Sequence, residues 1–432
     1  MGLLAPGRNR QHPQPSDGVW PGLFDAPGGR AHAGIARGVT RAAIRSLPLT
    51  LHFPDGSRWG AGGPQLDLIR PDAFFTRLGR DGLIGFGEAW MAGDLTTGGW
   101  TVGSRLPGAE VSAATDALAD GLTVLAGRMG RLVPRPLQLL RGAWHAVKPR
   151  SEENTLGGSA ENIHRHYDLS NDLFELFLDE TMTYSCAVYD PAGPESLAAA
   201  QRRKIDAILD LAGVRPGMRV LEIGSGWGAL AIQAAAERDV DVTTLTLSTE
   251  QKAYAEKRIA DAGLTDRISV RLEDYRRHRG SYDAVVSVEM IEAVGEKYWP
   301  QYFRCIDGLL APGGRAALQA ITLEHERQIA TRNTYTWIHK YVFPGGDLPS
   351  LRAIDSALAG TSLRVMESRR IGPSYARTLR EWRHRFNDRL DEVYQLGFDV
   401  TFVRMWNFYL AYTEAGFAAR YIDDYQLSLG RD

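Results

Sequence analysis

Between residues 220 and 321 two hydrophobic rhythms take turns. Short continuous apolar runs predict strands at 220–223, 241–246, 268–271, 283–288 and 314–321, and apolar residues three and four apart predict helices at 227–237, 249–263 and 297–310. Helices at 159–180 and 195–213 lead into this region. A parallel strand pair needs a long crossover, usually a helix, so strand alternating with helix predicts an α/β fold: a doubly wound parallel sheet covered on both faces. An aromatic insert at 325–350, containing "YTWIHKYVFPGG", interrupts the rhythm, and two long helices near 376–396 and 400–417 follow. Upstream the texture differs. Residues 1–35 are rich in Gly, Pro and polar residues and predict a disordered N-terminus. Two short strands flank Pro54-Asp55-Gly56, short helices with glycine turns come next, and residues 111–145 show helical periodicity. The polar stretch 148–162, "KPRSEENTLGGSAEN", reads as a linker. The predicted organisation is a disordered segment 1–35, a smaller α+β domain 36–147, the linker, and a catalytic domain 163–432.

Charge and cysteine content narrow the setting. The 432 residues carry a net charge of -2, which gives no global attraction to nucleic acid. Locally, residues 131–150, "RLVPRPLQLLRGAWHAVKPR", hold five cations and no acid, with Leu139, Leu140 and Trp144 among them, and predict contact with an anionic membrane surface. Two cysteines exclude a disulfide scaffold and suit a reducing compartment. There is no apolar run of about 18 residues and no secretory h-region, so the expected location is cytoplasmic, peripheral at the inner membrane face. His164 and His166 lack a third ligand nearby, so no metal is expected, and Cys305 reads as core.

Candidate chemistry starts at "VLEIGSGWGALAI", where Gly224, Gly226 and Gly228 follow the first strand of the sheet. A packing turn needs no ligand. A dinucleotide site fits Gly224, Gly226 and Ala229, but it also wants an acid at the end of the second strand, and "TLTLS" (244–248) has none. Glu222 before the turn and Asp274 after the third strand instead resemble the layout of class I S-adenosylmethionine (SAM) methyltransferases. In that layout the glycines admit the amino-acid and ribose parts of SAM, and Asp274 accepts from the adenine amino group.

A more specific resemblance runs through "NIHRHYDLSNDLFELFLDETMTYSCAVY" (162–189), "VLEIGSGWG", "LTLSTEQ", "VEMIEAVG", "FPGGDLPS" and "YARTLREW", in that order over about residues 40–430. These resemble the cyclopropane-fatty-acyl-phospholipid synthase family. "LQAIT" (318–322), without the family's histidine, resembles its actinobacterial subgroup that makes mid-chain methylene or methyl branches. The resemblance implies methyl transfer to the cis double bond of an unsaturated phospholipid. A carbocation forms, and proton loss closes a cyclopropane or, after a hydride shift, leaves a methylene branch that a partner reductase would saturate. It implies SAM contacts from Tyr184, Ser185, Glu222, Gly224, Gly226, Gly228, Thr246, Leu247, Gln251, Asp274 and Tyr275. It implies a bicarbonate ion, serving as base, held by Cys186, Glu292, Gln319, Ile321 and Tyr375, and it implies a homodimer. Gln319 and Ala293 stand where the family often has histidine, and Thr413 where relatives carry a cysteine. Two other functions compete: N-methylation of a soluble amine, and lipid binding by an inactive SAM fold.

Overall fold

The computed structural model describes residues 20–25, 28–128, 170–191 and 193–431. The linker 148–162, the basic run 131–150 and His164 and His166 lie outside them. The chain forms two compact units, residues 1–118 with 386–408 and residues 119–385 with 409–432.

In the first unit, β1 (Thr50–His52) and β2 (Arg58–Gly60) form the expected hairpin. β3 (Gln65–Leu68) lies parallel to β1, and β4 (Leu95–Thr96) completes the order β2-β1-β3-β4. A helix already begins at Arg30 and runs to Ile44, so the expectation of disorder to residue 35 overshoots. Its sequence, "RAHAGIARGVTRAAI", buries Ala36 and Ile44, and this tertiary packing outweighs its weak local signal. The core gathers Phe74, Phe75, Trp90 and Trp100. Arg404 is buried here, its guanidinium 4.3 Å from the Trp90 ring and 4.7 Å from the Trp100 ring. It donates to the carbonyls of Trp90 (2.7 Å), Trp100 (2.9 Å) and Leu95 (3.0 Å). Residues 386–408 therefore pack with the N-terminal unit rather than with the expected catalytic domain 163–432.

The second unit is built on a seven-stranded sheet, order β10-β11-β9-β8-β5-β6-β7. The expected strands are present as β5 (Arg219–Ile223), β6 (Asp241–Thr246), β7 (Ile268–Leu272), β8 (Tyr282–Val288) and β9 (Leu310–Leu323), all parallel. Two strands were not expected. β10 (Arg364–Arg370, "RVMESRR") is an exposed, charged edge with no apolar alternation to reveal it. β11 (Ile422–Gly430) inserts antiparallel between β9 and β10, so the sheet is mostly rather than wholly parallel. One apolar cluster centres on Leu221, Val285, Tyr302 and Leu318, and another on Val220, Ala231, Val242 and Val286. Residues 376–396 are not one helix. The chain breaks at Arg389 between helices Gly372–Asp388 and Leu390–Gln395.

Candidate active site

The candidate site residues gather at the carboxyl ends of β5, β6, β8 and β9, where open α/β sheets generally bind ligands. After β5 the three glycines all have positive φ, at 97°, 48° and 88°. Their surroundings differ. A Cβ on Gly224 would lie 2.6 Å from Met290 Cγ, and one on Gly228 would lie 3.2 Å from Ala255 Cβ, so these two permit close packing. A Cβ on Gly226 would meet nothing within 4 Å. Beside it Ser225 Oγ is buried without a hydrogen-bond partner. Open space next to an unsatisfied hydroxyl fits the polar end of SAM. At the end of β6, Thr246 Oγ1 donates to Gln251 Oε1 (3.0 Å) and accepts from the Ser248 N–H (3.1 Å). Ser248 also caps the helix Thr249–Asp261 by accepting from the Gln251 N–H (3.1 Å). Leu247, half-buried, lies between.

Five residues expected at SAM are committed to neighbours. Glu222 accepts from Thr244 Oγ1 (2.6 Å), its register partner on β6, and burial pushes its carboxyl up to about 8. Asp274 is clasped by Arg276 through Nε (2.9 Å) and Nη2 (2.6 Å). Tyr275 packs edge-on to Tyr302 in the core. Tyr184 OH shares a hydrogen bond with Tyr409 OH (2.8 Å), and Ser185 Oγ accepts from Lys204 Nζ (2.6 Å).

The residues expected to hold bicarbonate divide into two sets. Cys186 donates through its backbone N–H (2.8 Å) and Gln319 through Nε2 (2.8 Å) to Oε1 of Glu289, and Tyr375 OH donates to Oε2 (2.6 Å). Ile321 N–H donates instead to Glu292, whose other oxygen is buried without a partner. Three of the four donors expected for a bound anion thus converge on a carboxylate of the chain itself. A second carboxylate-like anion in that place would have to displace Glu289 from those donors, so bicarbonate does not fit there.

Buried charge surrounds Glu289. Lys204, on the helix Leu197–Leu211, is 2% exposed. Burial lowers its pKa, and Glu289 is the foremost of the acids opposing that shift. Burial also raises Asp424 well above the carboxylate range, and Glu289 beside it raises it further. Burial raises Glu289 as well, and Tyr375, Cys186, Lys204 and Gln319 oppose that rise. Glu292 is pushed up to about 8 by burial and then by Glu289. Burial raises the Cys186 thiol well above its ordinary range, which leaves it protonated and unsuited to nucleophilic attack. Aromatic rings enclose the region. Tyr375 stacks on Phe417 (4.4 Å), Tyr184 meets Phe174 and Trp382 (both 5.1 Å), and Phe343 of the insert meets Tyr409 (5.8 Å). Such faces favour a cation.

Glu289, Lys204 and Asp424 escaped the sequence reading. Lys204 lies four and seven residues before the buried Ile208 and Leu211, a polar residue on an apolar helix face. Asp424, Gln426 and Ser428 alternate along β11, all buried. Both patterns signal buried polar groups, but only the fold shows what they face.

A mostly parallel seven-stranded sheet with this glycine turn defines a SAM-dependent methyltransferase, and SAM is its methyl donor. The chain belongs to the cyclopropane synthase family: residues 155–427 match the family described as mycolic acid cyclopropane synthetase. It is 48% identical over 427 residues to a tuberculostearic acid methyltransferase of Mycobacterium tuberculosis, covering 96% of this chain and 95% of that protein. It is 33% identical over 382 residues to a cyclopropane-fatty-acyl-phospholipid synthase of Escherichia coli, covering 86% and 89%. Among solved structures, a cyclopropane synthase of Mycobacterium tuberculosis superposes with a TM-score of 0.58 at 32% identity, covering 62% of this chain and 97% of that one. A mycolic acid cyclopropane synthase complexed with SAH and CTAB gives 0.54 at 30%, covering 66% and 99%.

Proposed function

We propose that this enzyme methylates the cis double bond of an unsaturated phospholipid acyl chain and releases a methylene-branched chain. The observation that carries this reading is one carboxylate, Glu289, held by three donors beside aromatic rings and a buried thiol. An alkene needs no deprotonation before it attacks, but the cation it becomes needs shielding from water and a base. SAM supplies a methyl group bonded to a positively charged sulfur. The glycine turn, Thr246 and Gln251 hold the amino-acid and ribose parts of that ligand, while Tyr184, Tyr375 and Phe417 present aromatic surface to the developing cation. Cyclopropane formation is the competing outcome. The 48% identical relative, a tuberculostearic acid methyltransferase, supports the branched product over the ring. A methylene product is still an alkene, so a reductase would be needed to make a methyl branch.

The lipid is met at a membrane surface through the basic run 131–150, outside the described residues. No described helix is long and apolar enough to cross a membrane. Replacing Arg131, Arg135, Arg141, Lys148 and Arg150 with Gln should weaken sedimentation with anionic vesicles, each cation being worth about 1 kcal/mol there. A homodimer belongs to the same reading and is checked by light scattering. The deciding experiment incubates labelled SAM with vesicles of a monounsaturated phospholipid and analyses the fatty esters by mass spectrometry. A methylene-branched ester supports the reading, a cyclopropane corrects the product, and label appearing only in added soluble amines overturns it.

A further inference from the structure

We infer that Glu289 is the enzyme's built-in base, its carboxylate standing where a free anion would otherwise be bound, so that turnover does not require bicarbonate. This rests on the methyl-transfer reading above and deepens it. Three independent observations converge. Both oxygens of Glu289 are held by donors from separate elements: the Cys186 N–H and Gln319 amide on Oε1, and the Tyr375 hydroxyl on Oε2. These are three of the groups that would otherwise cradle a small anion. Second, Glu289 sits at φ 50°, in the left-handed region that favours glycine, directly after β8. A side chain kept at such a position points to a role for that side chain. Third, Glu289 as a residue is only half-buried, at the end of the strand that faces the glycine turn's side of the sheet. A base must be reachable by its substrate, and Asp424 at 0% exposure is not.

The step balances. The alkene π pair forms the bond to the methyl carbon as the carbon–sulfur pair leaves with S-adenosylhomocysteine. A hydrogen with its electron pair moves from the methylated carbon to its cationic neighbour, so the charge moves to the branched carbon. Glu289 takes a proton from the added methyl, the freed C–H pair becomes the methylene π bond, and the neutral acid later returns its proton to solvent. Without the hydride shift the same proton loss closes a cyclopropane. Tyr375, Gln319 and Cys186 keep the carboxylate aimed, and their hydrogen bonds favour its ionised form.

The test uses the full chain, labelled SAM and monounsaturated phospholipid vesicles, in buffer stripped of carbon dioxide or supplemented with bicarbonate. The parent enzyme should turn over equally in both. Glu289→Gln should bind SAM normally by calorimetry yet lose roughly 10²–10⁴-fold in turnover, the scale of lost general-base help. Bicarbonate should not rescue it, because the amide still fills the cradle. Glu289→Gly relieves the positive φ and vacates the cradle, so its residual turnover should become bicarbonate-dependent. A parent enzyme that methylates lipid only when bicarbonate is added would overturn the base assignment and leave the lipid reading standing, and so would a fully active Glu289→Gln. No methyl transfer to lipid by the parent in either buffer would overturn the substrate reading, and the base assignment with it.

Discussion

Lys204→Met removes the positive charge that opposes the acids of the site. The ammonium donates to Ser185 Oγ at 2.6 Å, and its charge favours ionised Glu289, Asp424 and Glu222. Methionine fills a similar volume, so packing loss is small. Two consequences follow from electrostatics. Losing an opposite charge moves a nearby carboxyl by ~1–3 pKa units, here upward for Glu289. If Glu289 must be ionised to take a proton, the acidic limb of the pH–rate profile moves to higher pH by that amount. Below the new limb, turnover falls tenfold per unit, or ~10–10³-fold in all. Stability changes as well. Ser185 Oγ loses its donor, and an acid cluster loses its counter-charge, together costing about 2–4 kcal/mol at neutral pH. The sign with pH is fixed. Glu289 has an ordinary value of 4.5 in the unfolded chain and a raised one in the fold, so between the two the folded state binds more protons. Stability then falls as pH rises through that window, and the variant extends the window upward. The assays are pH–rate profiles read by mass spectrometry of the lipid product, and urea unfolding at several pH values. A variant whose acidic limb overlays that of the parent would refute the electrostatic argument.

Gly226→Val should abolish SAM binding in a folded protein, since the side chain would enter the open space at the turn from a backbone at φ 48°, and calorimetry reads it. Glu292→Gln should cost less than tenfold in turnover, because a carboxyl pushed up to about 8 is already neutral at pH 7 and an amide oxygen can still accept from the Ile321 N–H. The same change should remove the stability that the parent loses as pH climbs from 4.5 toward 8, which thermal melts across that range would detect. Arg404→Met should destabilise the first unit by about 3–5 kcal/mol, as three backbone carbonyls lose a charged donor and two indole rings lose their cation. Urea unfolding with tryptophan fluorescence would report it.

The sequence by itself determined the elements whose signals are local. The strands β5 to β9, the helices between them and the three-glycine turn follow from apolar runs, helical periodicity and glycine at positions that require positive φ, none of which depends on distant residues. Tertiary structure decided the rest. β11 slides between β9 and β10 because its alternating polar residues find partners there: Gln426 donates to Gln319 (3.1 Å) and Ser428 to the Leu211 carbonyl (2.8 Å). Nothing within "IDDYQLSLG" announces those partners. Residues 386–408 join the N-terminal unit because the Arg404 guanidinium is satisfied by carbonyls more than 300 positions earlier. The choice between the two acids of "VEMIEAVG" was likewise tertiary. Both are glutamates three residues apart, but the 3-10 turn Ile291–Ala293 sends Glu292 to the Ile321 N–H. Glu289, at the end of β8, meets Cys186, Gln319 and Tyr375, donors from three distant parts of the chain. Motif order carried the class of chemistry. Which carboxylate faces the donors depends on side-chain direction at a strand end, and that is fixed only when the sheet and its covering helices have packed.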